Sequence, residues 1–162
     1  MSDLAAACDT SKSLIYHYYP SKEDILYAVM ASHIDQLVED VEHVLDLNAP
    51  PARTLDRLIH AFMDHYVGAA ARQKVLLNEL DSLPAEKRSI IVTKQRRIIE
   101  TVQGLLTKLD PELESDSNRA RVKTMLLFGM INWTHTWFNP KGPIQASTVA
   151  DIALEMVSIK PA

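Results

Sequence analysis

The chain has 162 residues, of which 47 % are hydrophobic and 23 % are charged, and its formal net charge is −4. This composition is typical of a soluble globular protein, and the negative charge excludes general electrostatic attachment to nucleic acid. The single cysteine, Cys8, excludes an intrachain disulfide and fits a reducing cytoplasm. No signal peptide and no apolar run long enough to cross a bilayer is visible, so we expect a cytoplasmic protein with no membrane partner.

Two short helices are predicted near the N-terminus. Ser2–Cys8 is rich in small, helix-forming residues, Asp9 and Thr10 form a turn, and a second short helix begins near Lys12. Two short helices joined by a tight turn form a helix-turn-helix, in which the second helix enters the major groove of DNA. Because the net charge is negative, DNA binding has to rest on this local surface.

A long helix is predicted to follow. Ser21 is a suitable N-cap, and Asp24, three residues later, completes a pair that resembles a capping box. Apolar residues then keep helical spacing to about Leu47, where the segment 48–51, Asn-Ala-Pro-Pro, ends the helix. This helix predicts a division into a head with its connecting helix, residues 1–47, and a body, residues 48–162.

The body has the pattern of a helical bundle. No strand-like alternation and no repeat is visible, and the apolar residues recur at helical spacing between short polar or proline-containing loops. The fold class is therefore predicted to be all-α. The predicted body helices run from about Ala52 to Ala71, Arg72 to Leu83, Ala85 to Leu109, Ser117 to Phe138 and Ser147 to Ile159.

The segment from Thr10 to Asp24 resembles the TetR family of transcriptional repressors. That family has a small-residue helix, a turn, Ser-Lys, Leu-Tyr-His-Tyr and then Ser-Lys-Glu, and this sequence reads Ser-Lys-Ser-Leu-Ile-Tyr-His-Tyr-Tyr-Pro-Ser-Lys-Glu from Ser11. The resemblance covers about residues 2–30. It also implies a further helix upstream that this sequence does not contain, so we expect a poorly supported head with weak operator affinity. Asp9 stands where the family commonly has glycine.

The resemblance implies roles for individual residues of the head. The positions that face bases or nearby phosphates are Lys12, Ser13 and His17, and the positions that clamp the DNA backbone are Tyr16, Tyr18 and Lys22. We expect the apolar residues of the segment to hold the two helices together: Leu4, Ala7, Leu14, Ile15 and Tyr19. The alternative is that this aromatic-rich segment only packs against the rest of the protein.

The segment Phe128–Gly142 is similar to a TetR subgroup that responds to acyl-coenzyme A thioesters, in which an Asn-Trp pair, a second Trp and a Pro-x-Gly loop recur. The resemblance implies a small-molecule effector held in an apolar slot with a few polar groups. The ligand-binding residues that we expect are Phe62, Met63, Tyr66, Arg97, Phe128, Asn132 and Trp133.

Coenzyme A also carries phosphates, which need cations. The most basic stretch contains Lys87, Arg88, Lys94, Arg96 and Arg97. The alternative for this stretch is a solvated helix face.

The last two predicted helices are expected to form a homodimer. A two-fold dimer presents two recognition helices to a pseudo-palindromic operator. Burial within one chain is the alternative for several of the residues that we expect at this interface: Val122, Leu126, Gly129, Trp133, Ile152, Met156 and Ile159.

Signals for catalysis or metal binding are weak. His60 and His65 are five residues apart, not the four of helical zinc sites, and no third ligand is evident beside Asp64. Cys8 lies among small residues, where packing is the better interpretation. The sequence contains no glycine-rich phosphate loop and no nucleophile elbow. We therefore expect no enzyme activity, no metal site and no cofactor other than a small-molecule effector.

The sequence thus predicts a homodimeric, cytoplasmic, TetR-like repressor that a small apolar ligand, with an acyl-coenzyme A thioester favoured, releases from double-stranded operator DNA. The alternative from another class is a dimeric ligand-binding or interaction protein that no longer binds DNA.

Overall fold

The computed structural model describes residues 1–158, and all the regular structure in that range is helical. Two single 3₁₀ turns, Leu80–Ser82 and Pro111–Leu113, interrupt the loops. The predicted all-α fold is confirmed. The helices are α1 (Ser2–Ala7), α2 (Lys12–Tyr18), α3 (Lys22–Asp46), α4 (Pro51–Gly68), α5 (Ala70–Asn78), α6 (Ala85–Leu109), α7 (Ser117–Asn132), α8 (Thr134–Trp137) and α9 (Ala146–Ser158).

The connecting helix α3 begins where the sequence predicts. Ser21 Oγ accepts a hydrogen bond from the Asp24 backbone N–H at 3.0 Å, and the same hydroxyl donates to the Asp24 carboxylate at 2.6 Å. These bonds satisfy groups that the first turn of a helix leaves unpaired. The helix continues to Asp46 and ends before Pro50 and Pro51, so the predicted long connecting helix is confirmed.

The body helices lie close to their predicted bounds because prolines mark two of their starts. Pro51 occupies the first turn of α4, and Pro84 is the N-cap of α6, which has the predicted bounds. The predicted helix to Phe138 is interrupted at Trp133. There the Thr134 hydroxyl donates to the Ile131 carbonyl at 2.6 Å, and such side-chain bonds compete with the helical ladder.

Helix α4 lies at the centre of the body, where it contacts α3, α6 and α9. Its apolar face is fully buried at Leu58, Ile59, Phe62 and Met63. Full burial of one such side chain is worth about 1.5–3 kcal/mol. Part of α3, from Met30 to Val44, belongs to the same core, so the connecting helix is packed into the body along most of its length.

Ion pairs join α3 to α6. Lys87 pairs with Asp24, Lys94 with Asp35, and Arg97 with Glu42 at 2.9 Å. The partners follow one another in the same order along both helices, so the pairs reinforce the apolar contact between them.

Candidate DNA-reading head and ligand cavity

The turn between α1 and α2 contains a left-handed residue. Asp9 has a φ of 48°, a conformation that glycine adopts more readily than aspartate. After the turn, Ser11 caps α2 by accepting a hydrogen bond from the Leu14 backbone N–H at 3.1 Å. These local features produce the helix-turn-helix that the sequence predicts.

The face of α2 is open. None of its residues is buried, and Tyr18 is 69 % exposed, with its ring edge-on to His17 at 5.2 Å. This exposure argues against the alternative that the segment only packs, but the DNA contacts themselves stay predictions. The exposed candidates are Lys12, Ser13, Tyr16, His17, Tyr18 and Lys22.

The prediction that the apolar residues of the head are packed between its two helices is wrong at several positions. Leu4 and Leu14 are 37 % and 49 % exposed, Ala7 and Cys8 are also exposed, and Tyr19 is 40 % exposed. The physical reason is that helices of six and seven residues offer each other little surface to cover. An apolar groove of about 330 Å³ results, lined by Leu4, Cys8, Thr10, Leu14, Ile15, Tyr18, Tyr19, Ile25 and Val29.

A second cavity lies inside the body, between α3, α4, α5, α6 and α7, and has a volume of about 240 Å³. Its walls are mostly apolar, its polar groups are amides and one phenol, and no lining residue carries a charge. Sites of this kind hold small apolar ligands through a few placed polar groups. The lining residues are Ile34, Leu37, Tyr66, Gln73, Leu76, Leu77, Gln95, Ile98, Ile99, Met125, Phe128 and Asn132.

Three of the predicted ligand residues meet in this cavity: Tyr66, Phe128 and Asn132. Phe62 does not line it but supports the wall from behind, since its ring lies 6.2 Å from Tyr66 and 6.1 Å from Phe128. Met63 is fully buried in the core and likewise does not line the cavity.

Trp133, which was expected in the apolar slot, does not line this cavity, and Arg97, which was expected to meet the ligand phosphates, does not line it either. Trp133 points out of the body and is 64 % exposed, because it follows the last residue of α7. Arg97 lies on the surface in its ion pair with Glu42.

A buried polar network forms one side of the cavity. Gln73, 1 % exposed, donates from Nε2 to Asn132 Oδ1 at 3.1 Å and accepts at Oε1 from His33 Nε2 at 2.6 Å. Burial is the largest cause that lowers the pKa of His33. Burial also raises the pKa of Tyr66, and a hydrogen bond with Gln73 acts in the opposite direction. Sequence reasoning missed Gln73 and His33, since no motif singles them out.

The basic stretch of α6 is largely neutralised. Besides the three pairs with α3, Arg88 Nη1 contacts Asp81 Oδ1 at 3.0 Å. Within residues 1–158, Arg96 is the one cation of the stretch without an ion-pair partner. The stretch therefore mainly joins α6 to its neighbours, which leaves little free charge for phosphates.

The outer faces of α7 and α9 form a large exposed apolar surface, which we call the α7–α9 face. Leu126, Met156 and Ile152 are 63 %, 58 % and 51 % exposed, and the hollow between them has a volume of about 680 Å³. Contiguous apolar surface of this kind marks a contact site. Ile159, also predicted at this interface, lies outside the described residues.

The histidines of α4 do not converge. His65 Nδ1 lies 3.1 Å from Asp40 Oδ2, whereas His60 Nε2 lies 3.2 Å from Asp151 Oδ1 on α9. Asp56, His60 and Asp151 bring three possible ligand atoms within 4.8 Å of one another. Both carboxylates are exposed and paired with the imidazole, which accounts for the cluster without an ion.

In the described range no helix is both long and apolar enough to cross a membrane.

Comparison with known proteins accounts for both halves of the chain. A model described as "Tetracyclin repressor-like, C-terminal domain" matches residues 48–158, and one described as "Bacterial regulatory proteins, tetR family" matches residues 1–29.

Solved structures of similar proteins point to the same family. A TetR-family transcriptional regulator from Bordetella parapertussis 12822 is 35 % identical with a TM-score of 0.91, over 96 % of this chain and 81 % of that one. PfmR from Thermus thermophilus is 27 % identical with a TM-score of 0.81, over 96 % and 85 %. AibR, solved with isovaleryl coenzyme A and operator DNA, is 24 % identical with a TM-score of 0.81, over 95 % and 84 %, and shows likeness of fold. The chain belongs to the TetR family of bacterial transcription regulators, which are not enzymes.

Proposed function

We propose that this regulator represses transcription by binding operator DNA, and that a small, largely apolar ligand releases it. The observation that carries the proposal is the position of α3, which contributes Ile34 and Leu37 to the wall of the cavity and, at its other end, follows directly after the recognition helix α2. A ligand in the cavity therefore touches the helix that bears the head. Release requires that the ligand bind the two positions of that helix with different affinity.

The lining of the cavity favours an uncharged, short-chain acyl group. The walls are apolar apart from amides and a phenol, and the volume of about 240 Å³ suits a short chain. AibR, a protein of similar fold, has been solved with isovaleryl coenzyme A, which supports an acyl-coenzyme A thioester as the ligand class. The coenzyme A phosphates would then lie outside the cavity, where Arg96 is the unpaired cation of the basic stretch of α6 among the described residues.

The regulator acts as a homodimer in this proposal, with the α7–α9 face as its interface. Apolar side chains as exposed as Leu126 and Met156 are rare outside contact sites when they are contiguous. Closed two-fold contact between two copies covers the same patch on each and presents two copies of α2 to two operator half-sites. In this proposal the regulator acts in the cytoplasm, where bacterial DNA lies.

The test is fluorescence anisotropy of a labelled fragment from upstream of the coding sequence, measured at low salt with and without isovaleryl coenzyme A. Leu77→Trp fills the cavity, and Leu109→Trp makes the same change at an exposed position of α6 outside it. We expect both variants to bind DNA like the wild type. The ligand should release the wild type and Leu109→Trp but leave Leu77→Trp on DNA, and free coenzyme A should release none.

A second function, a dimeric ligand-binding protein that does not bind DNA, is favoured by one observation. Within residues 1–22, Lys12 and Lys22 are balanced by Asp3 and Asp9, so the head has no net positive charge. Phosphate contacts by cations supply much of the affinity for DNA. The same experiment separates the two functions, because absence of DNA binding at low salt together with ligand binding would replace the repressor by this second function.

A further inference from the structure

Gln73 is the centre of a buried network that joins three helices to α5. It lies on α5 and contacts His33 of α3, Tyr66 of α4 and Asn132 of α7, and it also lines the cavity. A side chain that is 1 % exposed and hydrogen-bonded at both ends of its amide fixes the relative positions of the elements it joins. Of its partners, only His33 belongs to the connecting helix.

The bond from His33 to Gln73 has a defined direction. An amide oxygen only accepts, so His33 carries its hydrogen on Nε2 and donates it to Gln73 Oε1. His33 Nδ1 is buried and has no hydrogen-bond partner in the described part of the chain. Gln73 therefore provides the one hydrogen bond of a fully buried imidazole on α3, so the position of that ring depends on the glutamine.

The cavity offers hydrogen-bond donors to a ligand, and it offers no charge. Gln73 Nε2 donates to Asn132 Oδ1 and also faces the Tyr66 hydroxyl, whereas Asn132 Nδ2 has no protein partner among residues 1–158. A carboxylate would lose its hydration here without meeting a cation, whereas a neutral carbonyl needs only such donors. The ligand group that matches this wall is an uncharged carbonyl in a thioester, ester, ketone or amide.

We propose that Gln73 recognises the carbonyl oxygen of the ligand and transmits its binding to α3 through His33, an inference that rests on the function proposed above. The side-chain amide is a rigid plane with its donor and its acceptor at opposite corners. When the donor end turns from Asn132 toward a ligand carbonyl, the acceptor end moves away from His33. A ligand bound in the cavity and the hydrogen bond between His33 and Gln73 therefore exclude each other.

The recognition step is tested with Gln73→Met, which keeps about the same side-chain length but has no hydrogen-bond donor. The control Gln103→Met makes the same change on α6 outside the cavity. Isothermal titration without DNA compares isovaleryl coenzyme A with its thioether analogue, which lacks only the carbonyl oxygen.

Wild type and control should bind the thioester at least about tenfold tighter than the thioether, and Gln73→Met should reduce this preference to less than about threefold. A merely structural role would weaken both ligands equally. Unchanged preference in Gln73→Met, or binding of neither ligand by the wild type, would overturn the inference.

The transmission step is tested with His33→Met, which fills the site but cannot donate to Gln73. Because loss of this hydrogen bond mimics the bound ligand, thioester affinity measured without DNA should be at least as tight as in the wild type, and the operator affinity of the variant should no longer change when ligand is added. Release as efficient as in the wild type would overturn the transmission step. If the wild type binds the thioester selectively but no DNA, the repressor proposal fails and the recognition role of Gln73 stands.

Discussion

Lys12 is one of two lysines within residues 1–22, and it stands at the first position of α2. Its side chain is exposed and has no ion-pair partner in residues 1–158. With so few cations near the DNA, each phosphate contact takes a large share of the electrostatic attraction.

We predict that Lys12→Ala weakens binding to all DNA sequences by a similar factor and reduces the slope of log K against log salt by about 1. The exposed Lys141, in the loop before α9, provides the control Lys141→Ala, which should leave the slope unchanged. Anisotropy titrations over a range of salt concentrations measure both. An unchanged slope in Lys12→Ala would mean that this side chain does not contact a phosphate.

At the scale of secondary-structure elements, one residue at the start of α3, Asp24, takes part both in the cap of the helix and in its contact with α6. Asp24 belongs to the N-cap of the helix through Ser21 and to the contact with α6 through Lys87. The hydrogen bond from Lys87, followed by that from Ser21, holds the pKa of the Asp24 carboxyl below its usual value. A group of this kind contributes stability above its unfolded pKa and loses it as the pH falls through the folded pKa.

We predict that Asp24→Asn is less stable than the wild type at pH 7, and that the difference shrinks as the pH falls below about 3.9, the ordinary pKa of aspartate. Urea unfolding at pH 7, 5 and 3 measures the difference. Asp81→Asn is the control, because Asp81 also pairs with an α6 cation but its side chain is 94 % exposed. A difference for Asp24→Asn that is independent of pH would contradict the lowered pKa of this carboxyl.

The bounds of the elements could be predicted because their signals are local. Ser21 and Asp24 mark the start of α3, and Pro51 and Pro84 mark the starts of α4 and α6. The break at Trp133 could not be predicted in this way. The helix is interrupted there by hydrogen bonds from the Thr134 and Thr136 hydroxyls to preceding carbonyls, and not by a proline or a glycine.

The candidate site was less predictable than the fold. Tyr66, Phe128 and Asn132 were found through apolar spacing and resemblance, but Gln73 is a polar residue whose importance comes from partners 40 and 59 positions away. Arg97 was assigned to the ligand on charge alone, and its partner Glu42 lies on another helix. Contacts between distant parts of the chain leave no periodic signal in the sequence.

At the scale of the whole molecule, the proposed dimer through the α7–α9 face would determine how many heads act together. Two operator half-sites require two recognition helices at a fixed separation. If two copies join through this face, substitutions that never approach DNA will still abolish tight binding to it.

We predict that Leu126→Glu converts the proposed dimer into a folded monomer, because it places a charge in the proposed apolar contact without disturbing the core. Leu109→Glu, at a residue that is 41 % exposed on α6, is the matched control and should stay dimeric. Light scattering gives the mass, circular dichroism the helix content, and anisotropy the weaker DNA binding. A dimeric Leu126→Glu would place the interface elsewhere.

The chain has two tryptophans, and both lie on the α7–α9 face: Trp133 is 64 % exposed and Trp137 is 50 % exposed. Neither indole is in the core of the protomer, so the tryptophan emission of the protein comes from that surface alone. Burial of these indoles against a second copy moves the emission maximum to shorter wavelength, whereas the interior of the protomer contributes no tryptophan signal. If two copies join through this face, the regulator therefore contains its own optical reporter, from which the dissociation constant of the dimer can be obtained by dilution of unlabelled protein.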